Sequence, residues 1–312
     1  MLGKKVALIG AGHIGGVGAL LCILRRAGAV VLYDNAVGLP QGKGLDLAHA
    51  AAVLGYDCDV HGSNQISDIK GADVCIVTAG FPRGPGMSRD DLLRTNARVF
   101  IEVAAGLREF AQGALVIVVT NPLDAMAYLM QRETGFPTRL VVGMGGMLDS
   151  ARYRSFLSEK AGAPVSTVSA LVLGAHGDEM VPVRSHSAIA DVPVADGLAA
   201  VQLEELDRRV RGAGAEIISL LKSGSSSFSP ATAAVMLAES YLADQKKVLP
   251  VSAWCDGEYG IRGLYFGVPA VVGAGGVEKI VELELSSAER AGLQRGCEAT
   301  EKLIGTLPKN KN

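Results

Sequence analysis

Apolar and polar residues alternate along the first half of the chain in blocks that predict strands and helices in turn. Short apolar runs, several of them rich in β-branched residues, are separated by longer amphipathic or alanine-rich segments. Runs such as VCIV and LVIVV predict strands that are buried on both faces, which is typical of a parallel sheet wrapped by helices. The predicted strands are KVALIG, AVVLYD, ADVCIVTAG, ALVIVVTNP and LVVGM, and the predicted helices cover 13–27, 41–54, 90–112 and 123–133.

The pattern changes near Gly145, and no flexible linker marks the change. Beyond it the sequence predicts helices over 149–161, 202–222, 230–243 and 286–304, with a three-stranded meander formed by KKVLPVSAWC, GLYFGVPAVVG and VEKIVELEL. We therefore predict an α/β fold in which a doubly wound parallel sheet (1–145) is followed by an α+β domain (146–312). A ligand cleft is expected between the two.

Composition limits the partners that this chain can have. Its 312 residues are 49% apolar and 20% charged, as in a folded globular protein, and the formal net charge is only -2. This balance provides no general basic field for nucleic acid or for an anionic membrane. Five cysteines without a C-x-x-C pair and five histidines without H-x-x-x-H spacing predict a reducing compartment and no metal site.

The first residues, MLGKKVALIGAGHIGGVGALLCILRR, also have some features of a signal peptide or membrane anchor. Glycines and a histidine interrupt the apolar run, and no small-x-small cleavage pattern follows the two arginines. We expect a cytoplasmic protein.

Three glycines in this segment have the spacing of a dinucleotide-binding loop. Gly10, Gly12 and Gly15 form G-x-G-x-x-G directly after a predicted strand, and Asp34 follows Gly10 by 24 residues at the end of the next strand. In a Rossmann-type domain, such glycines allow a tight turn, close approach to the pyrophosphate and helix packing, and the acidic residue binds the ribose hydroxyls. Asp34 would repel a 2'-phosphate, which favours NAD over NADP. A simple turn or capping role remains open for Asp34.

Four polar residues are candidates for a ligand site, and Asn121 among them lies at the edge of the sheet where ligands bind. Asn121 ends a predicted central strand just before a proline, and His176 follows an apolar run between two glycines. Asp149 and Arg152 are three residues apart on a predicted helix and therefore share a face. Each has an ordinary alternative: a turn for Asn121, a satisfied structural histidine for His176, and a surface ion pair for the other two. If they met in one cleft, a carboxylate would orient an imidazole, the imidazole would carry a proton, and an arginine would bind a carboxylate.

The segment FPRGPGMSRDDLL places Arg83 and Arg89 in and beside a loop that is rich in glycine and proline. Solvated arginines are the simple interpretation, and an anion-binding loop is the functional one.

Six segments, in order along nearly the whole chain, resemble the family of NAD-dependent malate and lactate dehydrogenases, in particular its lactate-dehydrogenase-like malate dehydrogenases of bacteria. These segments are GLPQGKGLDLAHA, AGFPRGPGMSRDDLL, TNPLDAM, VVGMGGMLDSARYR, GAHGDEMVP and GVPAVVGAGGVEKI. The resemblance implies catalysis by His176 and Asp149, with Arg152 holding a substrate carboxylate, Arg89 polarising the reacting C–O bond and Asn121 bonded to substrate and histidine. The implied cofactor is NAD, bound by Gly10, Gly12, Gly15, Asp34, Asn96 and Asn121, and no metal is implied.

The resemblance also gives Arg83 a role, because the corresponding position in this family selects the substrate side chain. An arginine there implies a dicarboxylate, malate or oxaloacetate, and a glutamine commonly implies lactate or pyruvate. A carboxylate sealed in a dry site needs a charged partner of matching geometry, and a monocarboxylate would leave this arginine unpaired. Closure of the loop over 81–93 is expected to exclude water.

Departures from the family pattern occur outside the implied catalytic positions. Gly84 stands where relatives often carry lysine, and GSSSFSPA replaces a tyrosine-containing segment, with Ser225 and Ser226 expected near the substrate. A lactate dehydrogenase and a non-catalytic, redox-sensing NAD-binding module remain as alternatives. The family implies a homodimer or homotetramer, for which 41–54 and 202–222 are candidate interface helices.

Overall fold

A computed structural model of the protein describes residues 3–82 and 88–308. The first half alternates strands and helices as the sequence predicts. In chain order the elements are β1 (Lys5–Ile9), α1 (His13–Leu24), β2 (Ala29–Tyr33), α2 (Leu39–Val53), β3 (Val60–Ser63), β4 (Val74–Val77), α3 (Arg89–Phe110), β5 (Leu115–Val118), α4 (Leu123–Thr134) and β6 (Val141–Gly143).

The second half begins with a helix that follows β6 almost directly. Its elements are α5 (Gly145–Ala161), β7 (Val168–Ser169), β8 (Val172–Leu173), β9 (Val181–Pro182), β10 (Ala188–Ile189), β11 (Val192–Pro193), α6 (Val194–Gly197), α7 (Ala200–Leu221), α8 (Phe228–Leu242), β12 (Lys247–Asp256), β13 (Arg262–Gly273), β14 (Gly276–Ile280) and α9 (Ser287–Ile304).

One sheet extends through both halves. Within the described residues its strand order is β14-β13-β12-β6-β5-β4-β1-β2-β3. The six strands from β6 to β3 are parallel, and the order reverses direction between β1 and β4, as in a doubly wound fold. The predicted meander is β12 to β14, and it joins the sheet where Ser252 pairs antiparallel with Gly143. The predicted fold class is confirmed, and the division between residues 145 and 146 stays a prediction.

Both faces of the parallel strands are buried, which explains their continuous apolar sequences. Along β1, Val6 and Leu8 belong to one apolar cluster, whereas Ala7 and Ile9 belong to another on the opposite face. A third cluster lies beneath α5 and α7 and includes the fully buried Tyr153. The helices thus cover both faces of the sheet.

Two elements differ from the prediction for reasons of close packing. The sequence VHGS gave no strand signal, yet it forms the edge strand β3, where a Cβ on Gly62 would lie 1.7 Å from the carbonyl oxygen of Pro40 in α2. Helix α5 begins at Gly145 rather than at residue 149. A Cβ on Gly146 would lie 2.8 Å from the carbonyl oxygen of Pro250, so here the glycines allow a helix to pack closely and do not mark its end.

Helix α3 begins at a capping box, close to the start predicted at residue 90. The Ser88 side chain accepts a hydrogen bond from the backbone N–H of Asp91, whose carboxylate accepts one from the backbone N–H of Ser88. No helix among the described residues is long and apolar enough to cross a membrane.

Candidate active site

The predicted site residues gather at the carboxyl edge of the parallel strands. The glycine loop follows β1, Asp34 follows β2, Phe81 follows β4 and Asn121 follows β5. Because parallel strands end at the same edge, these four loops are neighbours in space.

The glycine loop has the steric properties that a dinucleotide requires. Gly10 has φ +110°, and a Cβ there would lie 2.6 Å from Thr78 Oγ1. A Cβ on Gly15 would lie 1.8 Å from the carbonyl oxygen of Gly10, so α1 packs tightly against the loop. By contrast, a Cβ on Gly12 would meet no atom within 4 Å among the described residues. Gly12 therefore presents an open backbone at the N-terminus of α1, where a pyrophosphate fits.

Asp34 is fixed against this loop by hydrogen bonds to both of its carboxylate oxygens. Oδ2 accepts from the backbone N–H of Ala11 at 2.6 Å, and Oδ1 accepts from that of Ala36 at 2.9 Å. The bond to Ala36 is the turn contact that the sequence left open. It does not exclude ribose binding, because a carboxylate oxygen accepts more than one hydrogen bond.

Asn96 lies beneath the site, and its side chain is saturated with hydrogen bonds. Its Oδ1 accepts from the backbone N–H of Phe81 at 2.8 Å, and its Nδ2 donates to the carbonyl oxygens of Phe81 at 3.2 Å and Asn121 at 2.8 Å. Because Asn96 is fully buried, it ties together the loops that follow β4 and β5. Its role in binding the cofactor stays a prediction.

His176 and Asp149 form a short, buried hydrogen bond. His176 Nδ1 lies 2.6 Å from Asp149 Oδ2, and their side chains are only 9% and 2% exposed. The histidine lies in the loop between β8 and β9, and the aspartate lies on α5. The bond occupies Nδ1, so Nε2 is the ring nitrogen that remains for a ligand.

Arg152 completes this group one turn further along α5. Its Nη1 donates to Asp149 Oδ1 at 3.3 Å, and its Nη2 donates to Ser226 Oγ at 3.5 Å. Its Nε is buried and has no hydrogen-bond partner among the described residues. A buried donor without an acceptor is costly, so this edge of the guanidinium is suited to an anionic ligand.

The surroundings of His176 favour its protonated form. Burial lowers the pKa of His176, but the charge and the hydrogen bond of Asp149 raise it; Asp124 adds to the increase and Arg152 opposes it. The net effect raises the pKa above its usual value.

Sequence reasoning missed two residues that hold His176. Gly145 faces the imidazole directly, since a Cβ there would lie 2.8 Å from both Cγ and Nδ1 of the ring. Asp124, two residues after the proline of TNPLD, accepts a hydrogen bond from the backbone N–H of His176 at 2.8 Å. In the sequence, Gly145 is marked only by its neighbour Gly146, and Asp124 only by its place at the start of a predicted helix. Both features have ordinary interpretations.

For the two arginines of FPRGPGMSRDDLL, Arg83 and Arg89, the structure describes only the position of Arg89 in its helix. Arg83 lies outside the described residues, as does Gly84. Arg89 is the first residue of α3.

Family comparison decides what this site belongs to. The family model described as lactate/malate dehydrogenase, NAD binding domain, matches residues 4–143, and the one described as lactate/malate dehydrogenase, alpha/beta C-terminal domain, matches residues 146–306. The chain belongs to the lactate/malate dehydrogenase family. The predicted resemblance and the NAD cofactor are thereby confirmed, and the enzyme class is that of an oxidoreductase.

Relatives in the lactate/malate dehydrogenase family match nearly the full chain. Malate dehydrogenase 2 of Anaeromyxobacter dehalogenans is 50% identical, over 98% of this chain and 100% of that protein. The malate dehydrogenase structure of Cryptosporidium parvum has a TM-score of 0.95 at 41% identity and covers 97% of this chain and 98% of its own. The lactate dehydrogenase of Cryptosporidium parvum, solved with lactic acid and nicotinamide adenine dinucleotide, has a TM-score of 0.94 at 41% identity, with the same coverage.

Proposed function

We propose that this protein is a malate dehydrogenase that interconverts (S)-malate and oxaloacetate with NAD. In this proposal residues 1–145 bind NAD and supply Arg83, Arg89 and Asn121 to the substrate, and residues 146–312 supply Arg152 and the His176–Asp149 pair that moves its proton. The observation that supports it best is the buried cluster of His176, Asp149 and Arg152, in which one N–H of Arg152 has no partner within residues 3–82 and 88–308. A catalytically silent NAD-binding module has no use for such a cluster.

His176 is the proton carrier in this proposal. In malate oxidation the hydroxyl proton of the substrate passes to Nε2 of neutral His176, while Asp149 accepts the Nδ1–H and stabilises the resulting imidazolium. When bound, NAD accepts the hydrogen of C2 together with its electron pair. In oxaloacetate reduction the imidazolium returns its proton to the forming hydroxyl oxygen.

Arg152 is assigned to the carboxylate next to the reacting carbon. In the part of the chain that the structure describes, its Nε has no hydrogen-bond partner and its Nη2 makes one long contact of 3.5 Å with Ser226. Both donors of this guanidinium edge are therefore open to a carboxylate. Asn121 and Arg89 are proposed to contact the reacting oxygen. The amide of Asn121 makes no side-chain hydrogen bond among the described residues, while its carbonyl oxygen is held by Asn96.

Arg83 is assigned to the second carboxylate, which distinguishes malate from lactate. The overall fold does not separate the two substrates, because one malate and one lactate dehydrogenase structure match this chain with TM-scores of 0.95 and 0.94. Discrimination must come from single residues in the site. Losing one member of a buried ion pair costs about 2 to 5 kcal/mol, enough to exclude a monocarboxylate.

The test is the rate of NADH oxidation with oxaloacetate and with pyruvate, measured side by side. Wild type is expected to prefer oxaloacetate strongly, and Arg83→Gln is expected to lose that preference. Arg98→Gln, which removes an exposed arginine from α3, is the matched control and should behave as wild type. Preference for pyruvate in wild type would overturn the assignment of malate, and equal preferences in wild type and Arg83→Gln would overturn the role of Arg83.

We further propose that the protein is a cytoplasmic homo-oligomer, a dimer or a tetramer, that buries α2 and the end of α7. Apolar side chains on these helices are exposed, among them Val53 at 88% and Leu220 at 74%. Exposed apolar surface of this kind is typical of an interface. Light scattering of wild type and Leu45→Glu tests the proposal, since an unchanged mass in the variant would argue against α2 as interface.

A further inference from the structure

A second buried carboxylate, besides Asp149, is hydrogen-bonded to His176. Asp124, on the first turn of α4, is 5% exposed. Its Oδ2 accepts the backbone N–H of His176 at 2.8 Å, and its Oδ1 accepts the hydroxyl of Ser252 at 2.6 Å. One carboxylate thus holds the imidazole of His176 and another holds its backbone.

The contacts of Asp124 join three segments that are far apart in sequence. His176 is 52 residues away in the loop after β8, and Ser252 is 128 residues away on β12. Ser252 also pairs with Gly143 of β6, so its position is fixed by the sheet. A rigid support therefore extends from the sheet through Asp124 to the backbone of His176.

Counting donors indicates that Asp124 is ionised. The ionised carboxylate accepts both the N–H of His176 and the O–H of Ser252, and no donor is left over. A protonated Asp124 would need Ser252 Oγ as its acceptor, and the Ser252 proton would then have no acceptor among the described residues. Burial raises the pKa of Asp124 above its usual value, and the hydrogen bonds from Ser252 and His176 offset only part of that rise.

We propose that Asp124 is a positioning residue for proton transfer, which fixes the backbone of His176 and adds a second negative charge that stabilises its imidazolium form. The proposal rests on the dehydrogenase chemistry assigned above to His176. The charged groups that face His176 are Asp149 and Arg152 from α5 and Asp124 from α4. Among these charges Asp149 stabilises the His176 imidazolium most, and Asp124 stabilises it in the same direction by a smaller amount.

Asp124→Asn separates charge from hydrogen bonding. The amide oxygen of asparagine can still accept the N–H of His176, and its NH₂ can donate to Ser252 Oγ, so the variant loses mainly the charge. Asp124→Ala removes both. Ser252→Ala removes the hydrogen bond that favours the ionised form of Asp124 and so reduces its charge only in part. Ser240→Ala is the matched control, since Ser240 is equally buried on α8 and donates to the carbonyl of Val272 at 2.8 Å.

The first measurement is the pH profile of kcat/KM for oxaloacetate reduction, with NADH binding followed by fluorescence. In Asp124→Asn the alkaline limb should move to lower pH by roughly half a unit to one unit, with NADH binding unchanged. In Asp124→Ala kcat should also fall by roughly 10-fold or more, because a misplaced imidazole transfers protons poorly. In Ser252→Ala the alkaline limb should move in the same direction by a smaller amount, and the pH profile of Ser240→Ala should match that of wild type.

Titration of the His176 imidazole by NMR, assigned with His176→Asn, makes the test independent of the substrate. A lower pKa of His176 in Asp124→Asn than in wild type would support the proposal even if oxaloacetate were not reduced, in which case only the proposed function fails. Equal values in folded wild type and Asp124→Asn would overturn the electrostatic role. An unchanged kcat in Asp124→Ala would overturn the positioning role. If neither Asp124 variant folds, Ser252→Ala decides, and a profile identical to that of Ser240→Ala would overturn the proposal.

Discussion

Replacing Asp149 with asparagine tests the buried pair that stands at the centre of the site. In the wild type, Asp149 is 2% exposed, lies 2.6 Å from His176 Nδ1 and also accepts a hydrogen bond from Arg152. Asparagine keeps the size and one acceptor oxygen but removes the negative charge. The imidazolium of His176 then forms beside a neutral amide and a nearby arginine.

The expected magnitude follows from the burial of the pair. Removing one charge from a buried ion pair costs about 3 to 5 kcal/mol. At about 1.36 kcal/mol for each factor of ten, this corresponds to a loss of roughly two to four orders of magnitude in kcat/KM. Because Asp149 raises the pKa of His176 in the wild type, the variant should also hold its imidazolium only at lower pH.

Steady-state rates of oxaloacetate reduction for wild type and Asp149→Asn measure this loss. Asp57→Asn is a suitable control, because Asp57 is an exposed aspartate between α2 and β3, at the edge of the parallel sheet opposite to the site. NADH binding should be close to wild type in a folded Asp149→Asn protein, whereas its thermal unfolding temperature should fall, because the buried charge that pairs with Arg152 and His176 is lost. A variant that keeps its rate within a factor of ten at neutral pH would refute the assignment of Asp149 as the group that stabilises the imidazolium.

Three further predictions follow from the geometry and from the directions of the pKa shifts. Gly145→Ala should lower kcat by roughly 10-fold or more with little change in NADH binding. The reason is that the alanine Cβ would lie 2.8 Å from the His176 ring and displace the ring. Steady-state kinetics measures the fall in kcat, and a fluorescence titration measures NADH binding. Because the pKa of His176 is raised, malate oxidation, which needs the neutral ring, should increase with pH through a midpoint above 6.5. Oxaloacetate reduction, which needs the imidazolium, should decline through the same pH region. The pH profiles of the rates in both directions measure these midpoints. Burial raises the pKa of Glu289, but hydrogen bonds from Ser185 and Ser286 more than offset this rise and hold the pKa below 4.5. The stability that ionised Glu289 contributes is therefore fully present above pH 4.5 and is lost as the pH falls through the lowered pKa. Glu289→Gln should therefore reduce the free energy of unfolding by about 1 to 3 kcal/mol at pH 7, and denaturant unfolding should show the difference shrinking toward pH 3.

Local sequence signals were sufficient for eight of the nine strands that the structure describes in the main sheet, and for the cofactor loop. Buried parallel strands have continuous apolar sequences, and the glycine spacing after β1 reports a steric requirement that the structure bears out at Gly10 and Gly15. The edge strand β3 was missed because only Ser63 within it is buried, and such a strand has no apolar run to mark it.

The support of His176 could not be read from the sequence, because it depends on contacts between distant residues. Asp124 looks like an acidic residue at a helix N-terminus, and nothing local reveals that its partners lie 52 and 128 residues away. Gly145 lies before the predicted start of its helix at residue 149, although the structure places it in that helix against the imidazole. Helix periodicity placed Asp149 and Arg152 on one face, and the family resemblance, not the periodicity, implied their roles.

His176→Asn is the most direct test of the central claim, that the buried His176 carries the substrate proton. The measurement is the rate of oxaloacetate reduction at saturating NADH, with NADH binding recorded on the same samples. We expect the rate of His176→Asn to be lower than that of wild type by roughly two to four orders of magnitude, with unchanged NADH binding. A folded His176→Asn protein that binds NADH and keeps a rate within a factor of ten of wild type would contradict it.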